Sequence, residues 1–182
     1  LKKKIKIKKI SFPVVIKPVN EGSSLGVYIC KNNIQLNKNY NKLKKKYDRL
    51  LIEEYIPGKE IQVAVMGKKA LGAIELIPQR EFYDYKAKYS SKAQTKHIMP
   101  ASLNNKKYNE VLSLAKKAHK ILGCKGVTRS DFRFYKNNFY LLETNTQPGM
   151  TKLSLVPEIA QYCGIKFEDL VEWMAKDASN NR

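Results

Sequence analysis

Leu141-Leu142-Glu143-Thr144-Asn145-Thr146-Gln147-Pro148-Gly149-Met150 joins an apolar run to a Pro-Gly turn. Strands tend to exclude Glu and Asn, yet here a Glu and an Asn stand two apart at the end of a strand-like run. That spacing puts both side chains on one face. Asp131 lies in the preceding strand-like run, Val127 onward, so the two runs form a hairpin. Asp131, Glu143 and Asn145 on a common face give three oxygen ligands. Such a set suits a magnesium ion held against a nucleotide phosphate.

The hairpin makes that reading checkable. Directly opposed residues of an antiparallel pair share a face. A two-residue turn at Asn137-Asn138 opposes Asp131 to Thr144 and leaves Glu143 on the wrong side. A three-residue turn at Lys136–Asn138 opposes Asp131 to Glu143, and Asn tolerates the left-handed backbone such a turn needs. The metal reading therefore predicts the odd-length turn, or else a bulge.

Working outward, Phe12 to Lys17 reads as a buried strand stopped by Pro18, and a short strand follows at Val27–Cys30. Asn33 to Tyr47 has helical spacing in Ile34, Leu36, Tyr40, Leu43 and Tyr47. Leu50 to Ile56 is a further strand, closed by Pro57-Gly58, where a hinge is expected. Glu60–Met66 and Ala70–Ile77 form a hairpin around Gly67-Lys68-Lys69. Gln79 to His97 keeps no period and reads as a long functional loop. Tyr108, Val111, Leu112, Ala115, Ala118 and Leu122 mark an amphipathic helix ending at Gly123. After the Val127–Thr144 hairpin, helices are expected at Leu155–Tyr162 and Phe167–Lys176. The organisation is α+β.

Composition bounds the function. The 182 residues suffice for one large domain or two lobes around a cleft, and 43% are hydrophobic, enough for a core. The formal charge is +19, but of 35 basic residues only Arg49, Arg80, Arg129, Arg133 and Arg182 are arginine. Lysine-rich faces of this kind are mostly solvated, and they draw anionic ligands such as nucleotides more generally than they read nucleic acid. Cys30, Cys124 and Cys163 form no C-x-x-C pair, which argues against a disulfide framework or a zinc site and fits a reducing cytosol. His97 and His119 are isolated and read as structural. No run is long enough to span a membrane. The start, Leu1 to Ile10, is basic without an apolar stretch and lacks an initiator Met, so the chain reads as a fragment.

Other segments carry candidate chemistry. Gly22, Ser23, Ser24 and Gly26 follow a strand ending in Lys17, a pattern that serves a plain turn as well as an anion cradle. No Gly-Lys-Ser/Thr opens a helix, so it is not a Walker A loop. Glu53, Glu54 and Glu60 flank the expected hinge, as edge carboxylates or as hydrogen-bonding groups for adenine and ribose. The Tyr83-Asp84-Tyr85-Lys86-Ala87-Lys88-Tyr89 stretch could close over phosphate. Arg129 shares the strand face of Asp131, where a guanidinium can stabilise a transferring phosphoryl group.

Together, Ile16-Lys17-Pro18, Glu21-Gly22-Ser23-Ser24-Leu25-Gly26, Glu53 to Glu60, the Tyr83–Tyr89 loop, Gly126-Val127-Thr128-Arg129-Ser130-Asp131, Glu143 to Thr151, and Ser154-Leu155-Val156-Pro157 resemble the D-alanine–D-alanine ligases of the ATP-grasp superfamily. The likeness runs in order from Phe12 to Trp173. It implies two α+β lobes whose antiparallel sheets grip ATP between them, with residues 1–56 part of the central lobe and 57–182 the carboxy-terminal lobe. It implies that Lys17 and Lys88 contact ATP phosphates, that Glu53 and the Ile56 backbone meet adenine, and that Glu60 meets ribose. Val15, Tyr55, Phe82 and Leu142 line the adenine pocket on this reading. Asp131, Glu143 and Asn145 hold two magnesium ions, for which Mn2+ can substitute.

The same resemblance implies that one D-alanine is phosphorylated on its carboxylate and the amine of a second attacks the acyl phosphate. Arg129 and the Gly149 N–H then stabilise the oxyanion. Ser154 and Leu155 bind the second substrate's carboxylate at a helix N-terminus, and Ser23 and Tyr89 hydrogen-bond within the substrate site. Tyr89 favours a dipeptide over a depsipeptide product. The activity is cytoplasmic and serves peptidoglycan synthesis; members are commonly homodimers. The family's amino-terminal substrate domain has no counterpart in these residues. Two further readings therefore stand beside the ligase: a nucleotide-binding chain without turnover, and an ATP-grasp carboxylate–amine ligase of other specificity. Nothing in the motifs reads nucleic-acid bases or grooves.

Overall fold

The computed structural model describes residues 11–22, 24–78, 95–151 and 153–178. Two compact units emerge, one built from residues up to Ile56 and the other from Pro57–Ile77 and the chain from Lys96 onward.

In the first unit, β1 (Val14–Pro18) is central to a three-stranded antiparallel sheet, between β2 (Tyr28–Cys30) and β3 (Leu50–Glu54). Alternation along β1 sorts its side chains. Val14 and Ile16 point into a core with Cys30, Leu36 and Leu43, while Val15 and Lys17 point to the other face. Leu36 and Leu43 come from α1 (Asn33–Leu43), whose cap Asn32 accepts a hydrogen bond from Gln35 N at 3.0 Å. The helix ends at Leu43 rather than at the expected Tyr47. The Lys44-Lys45-Lys46 run contributes nothing to the core, and Tyr47 packs on it from outside the helix.

The second unit is a five-stranded antiparallel sheet in the order β6 (Lys96–Ile98), β5 (Lys69–Ile77), β4 (Lys59–Met66), β7 (Val127–Tyr135), β8 (Asn138–Asn145). β6 corrects the sequence reading at one point. The segment expected to be loop through His97 ends as a strand paired with β5, Leu76 opposite His97. The remainder of that loop lies outside the described residues. α2 (Asn105–Ile121) covers one sheet face, where Val111 and Ala115 meet Ile61, Val63, Val65, Ala73 and Phe132. α3 (Leu155–Tyr162) packs against β5 and β4, and α4 (Phe167–Asp177) against α3. His97 Nδ1 meets Glu158 Oε2 at 2.7 Å, and the Cys163 thiol donates to Leu71 O at 2.8 Å, both securing α3 to the sheet.

The β7–β8 hairpin departs from the expected turn. Tyr135 pairs with Asn138, so the turn has two residues, Lys136 and Asn137, both at positive φ (46° and 64°). That is the primed geometry matching strand twist. The Lys107 ammonium, lying over the Phe134 and Phe139 rings, donates to Asn137 O at 2.7 Å and clamps this turn. Phe132 pairs with Leu141, but Asp131 pairs with Glu143. Leu142 is therefore the extra residue of a bulge. The bulge, not a three-residue turn, brings Asp131 opposite Glu143.

Buried polar groups are matched on the α2 face. His119 Nδ1 lies 2.8 Å from Thr128 Oγ1, and burial holds the imidazole pKa below its ordinary value of 6.5. The unfolded chain takes up that proton more readily than the folded one. This contribution to stability is whole above pH 6.5 and shrinks as the pH falls below it. Wild type should lose more urea resistance than His119→Gln between pH 7.5 and 5.5; equal losses would refute the assignment. Gly58 has φ +99°, and a Cβ there would sit 2.3 Å from Phe134 O. Gly58→Ala should cost about 2 kcal/mol or more in chemical denaturation, against a fraction of that for an ordinary surface turn.

Candidate functional site

Strand alternation gives the sheet of the second unit two faces, one packed on α2 and the other carrying a polar stretch beside the buried Ala64, Ile74 and Leu76. On the second, register assembles three rows across the strands: Glu60 opposite Arg133; Gln62 opposite Asp131, and Asp131 opposite Glu143; Arg129 opposite Asn145. The bulge at Leu142 permits this. Phe139 packs toward the core, and Thr144 does too, its hydroxyl 3.0 Å from the buried Ser130 hydroxyl. Residues 139 and 144 differ in parity, so the alternation must slip between them, and Glu143 and Asn145 turn to the polar face.

Arg129 grips Asp131 with both prongs, Nε to Oδ1 at 2.8 Å and Nη2 to Oδ2 at 2.9 Å. A two-pronged guanidinium–carboxylate contact fixes both planes, and Asp131 is nearly buried. Glu60 is held likewise, Arg133 Nη2 reaching its Oε2 at 3.2 Å and Gln62 Nε2 donating to its Oε1 at 3.3 Å. Arg133 Nη1 donates to Gly58 O at 3.2 Å. Gln62 is only 1% exposed, and its Oε1 has no hydrogen-bond partner among the described residues.

Downstream of β8, Asn145 Oδ1 accepts from Gln147 N at 2.9 Å, which starts the Pro148-Gly149 turn. A Cβ on Gly149 would come within 2.9 Å of Ser154 Oγ, so the glycine lets these two candidates lie side by side. Ser154 stands at the N-cap of α3, yet its hydroxyl makes no cap hydrogen bond. It accepts from Thr151 N at 3.0 Å and lies 2.9 Å from Thr151 Oγ1. Ser154 thus leaves the first-turn N–H groups of α3 uncapped by its own side chain, an arrangement suited to a carboxylate. The Leu155 side chain is buried, so the residue has its backbone N–H to offer.

The first unit gathers its own candidates. Glu53 is opposite Val15, on the face that also carries Lys17, and Lys17 Nζ lies 2.6 Å from Glu53 Oε1. Tyr55 N donates to Pro13 O at 3.1 Å, holding the chain just before Ile56. In the loop after β1, Leu25 N donates to Gly22 O at 3.0 Å, and Ser24 and Gly26 take positive φ. Ser23, Phe82, Lys88 and Tyr89 lie outside the described residues.

The donor set for a cation is all oxygen, as magnesium or manganese prefers. Two carboxylates directly opposed across a ladder and an amide on the same face fit such an ion by type and placement. Among the described residues no group of three or more His, Cys, Asp and Glu is gathered in ligating positions; this set has two carboxylates and an asparagine. Sequence reasoning missed Gln62 and Arg133. Their signal was available: Glu60 and Gln62 are two apart on one strand, and Arg129, Asp131 and Arg133 repeat the same alternation on its neighbour.

Residues 2–176 match the family described as the D-ala D-ala ligase C-terminus. The chain is 61% identical over 176 residues to a D-alanine–D-alanine ligase of Pelagibacter ubique (strain HTCC1062), covering 96% of this chain and 57% of that protein. It is 48% identical to the ligase of Rhodopseudomonas palustris (strain BisA53), covering 93% and 57%. The chain thus spans somewhat more than half the length of these curated relatives. Among solved structures it resembles the Bacillus anthracis ligase complexed with ATP, with TM-score 0.77, 28% identity and coverage of 91% of this chain and 52% of that one. The Coxiella burnetii ligase gives TM-score 0.78 at 25% identity, covering 91% and 44%. The α+β, ATP-grasp fold expected from the sequence is therefore the fold observed. Sequence and structure agree that the chain belongs to the D-alanine–D-alanine ligase family and corresponds to its carboxy-terminal part.

Proposed function

We propose that the protein uses ATP to join two D-alanines, releasing ADP and phosphate, as a cytoplasmic step of peptidoglycan synthesis. The observation that carries this reading is the polar face of the second unit. Arg129, Asp131, Glu143 and Asn145 occupy adjoining rows there, and the chain runs on directly to Gly149 and Ser154. The family relationship supports it independently.

On this reading a carboxylate oxygen of the first D-alanine attacks the γ-phosphorus, and ADP leaves. The amine of the second D-alanine then attacks the acyl phosphate, and the collapse of the tetrahedral adduct expels phosphate. Arg129 and the Gly149 N–H would stabilise the oxyanion, with Asp131 keeping the guanidinium plane fixed. Ser154 and the Leu155 N–H would bind the second substrate's carboxylate, and Ser23 and Tyr89 would order the substrates. Lys17 and Lys88 would meet ATP phosphates. Glu53 and the Ile56 backbone would meet adenine, with Val15, Tyr55, Phe82 and Leu142 as apolar lining, and Glu60 would meet ribose. Asp131, Glu143 and Asn145 would hold two magnesium ions, which when bound neutralise the phosphoryl oxygens. The partners are ATP and D-alanine, and a second copy in the complete protein, rather than nucleic acid or membrane.

The test is ADP release with D-alanine, ATP and magnesium, in the protein as encoded, including whatever precedes Leu1. Asp131→Ala and Glu143→Ala should each lower turnover at least ~100-fold with the fold preserved. Arg129→Lys should lose on the order of 100-fold, because an ammonium cannot reproduce the planar fork. Near-normal rates in either carboxylate variant would reject the ligand assignment. Turnover with D-lactate or an L-amino acid but not D-alanine would reassign the substrate.

A further inference from the structure

We infer that Gln62 and Arg133 are positioning residues for Glu60, and that together they set how strongly the site prefers a nucleotide with an intact ribose diol. This rests on the reading of Glu60 as the ribose contact.

Glu60 is fixed through both of its oxygens. Arg133 Nη2 takes Oε2 at 3.2 Å, and Gln62 Nε2 takes Oε1 at 3.3 Å. Arg133 is itself anchored by Gly58 O, at 3.2 Å from Nη1. Gly58 lies in a backbone conformation that favours glycine, and a Cβ there would collide with Phe134 O. The Glu60 and Arg133 side chains are each 12% exposed, so the pair is largely shielded from water. An ionised carboxylate is an acceptor only, with about four lone-pair sites. A carboxylate held in one plane accepts only along fixed directions, which suits donors of defined spacing such as two adjacent hydroxyls.

Gln62 adds an argument from cost. The residue is 1% exposed and spends Nε2 on Glu60, while Oε1 is buried without a partner among the described residues. An orphaned buried acceptor destabilises a fold, and an apolar side chain of similar size would avoid that penalty. The reverse amide orientation would set its oxygen against the Glu60 carboxylate. The glutamine is therefore stabilising for Glu60 and destabilising for the sheet, which is the signature of a residue kept for a site.

The experiment measures affinity for ATP, 2′-deoxyATP and 3′-deoxyATP by competition against a fluorescent nucleotide in magnesium buffer. It compares the chain with Glu60→Gln, Arg133→Met, Arg133→Lys and Gln62→Met. Thermal midpoints are recorded for each. Wild type should prefer ATP over at least one deoxy analogue, and Glu60→Gln should erase the preference. Arg133→Met should reduce it roughly tenfold, as expected for loss of a charge-assisted contact, and Gln62→Met about threefold. Affinity for that deoxy analogue should scarcely change. Gln62→Met should melt no lower than wild type. Should Arg133→Met fail to fold, Arg133→Lys carries the test with a loss of about threefold.

The proposal is overturned if the Arg133 and Gln62 variants weaken all three nucleotides equally or leave the preference intact while Glu60→Gln erases it. A Gln62→Met variant that melts lower with its preference unchanged also overturns it. Equal wild-type affinity for all three nucleotides, or an unaltered preference in Glu60→Gln, removes the Glu60–ribose reading itself and the proposal with it.

Discussion

Leu142 is one residue more than the β7–β8 ladder can pair, and the chemistry of the second unit follows from where that surplus falls. Toward the turn, Phe139 must face α2 to pack with Phe132 and Phe134. At the far end, Thr144 must face the same way to meet Ser130. An unbroken strand cannot place an odd and an even position on one face. The bulge resolves the conflict and turns Glu143 and Asn145 to the face of Asp131. The turn that starts this register is clamped by Lys107 from α2, so a helix on the core side helps to set ligand placement on the other.

Charge is then distributed by the same alternation. Candidate site carboxylates are met by neighbouring cations: Glu53 by Lys17, Glu60 by Arg133, Asp131 by Arg129. In a chain this rich in lysine, two of these pairs use arginine, where a planar fork can fix a carboxylate and an ammonium cannot. These contacts make the acids rigid acceptors. They also explain why the shielded carboxylates of Glu60 and Asp131 are tolerated across a sheet whose other face is apolar at Ile61, Val63 and Phe132.

Much of this was legible in the residues. Period-2 runs and the helical spacing of Val111, Leu112 and Ala115 place the β4–β5 hairpin, α2, β7, β8 and α3 close to their observed bounds. The spacing of Glu143 and Asn145 marks the polar face. The bulge was legible only as one of two ways to satisfy that face. Turn length depends on whether Lys136 or Asn138 joins the turn, and local propensity does not separate them. β6 was not legible, because three residues carry too little pattern and their strand state comes from pairing with β5. The Glu60–Gln62–Arg133 group was legible only in part, because alternation marks the face of each residue while the register that sets Arg133 opposite Glu60 comes from cross-strand pairing.

The central claim is that Asp131, Glu143 and Asn145 form one divalent-metal face for a nucleotide. A crystal of the protein grown with Mn2+ and a non-hydrolysable ATP analogue, with data collected at the manganese edge, tests it most directly. The account predicts anomalous peaks bonded to oxygens of Asp131 and Glu143, with Asn145 a ligand to one ion, at the short bond lengths of roughly 2.0–2.3 Å typical of such cations. Manganese bound elsewhere, with those three side chains outside its coordination shell, would contradict it.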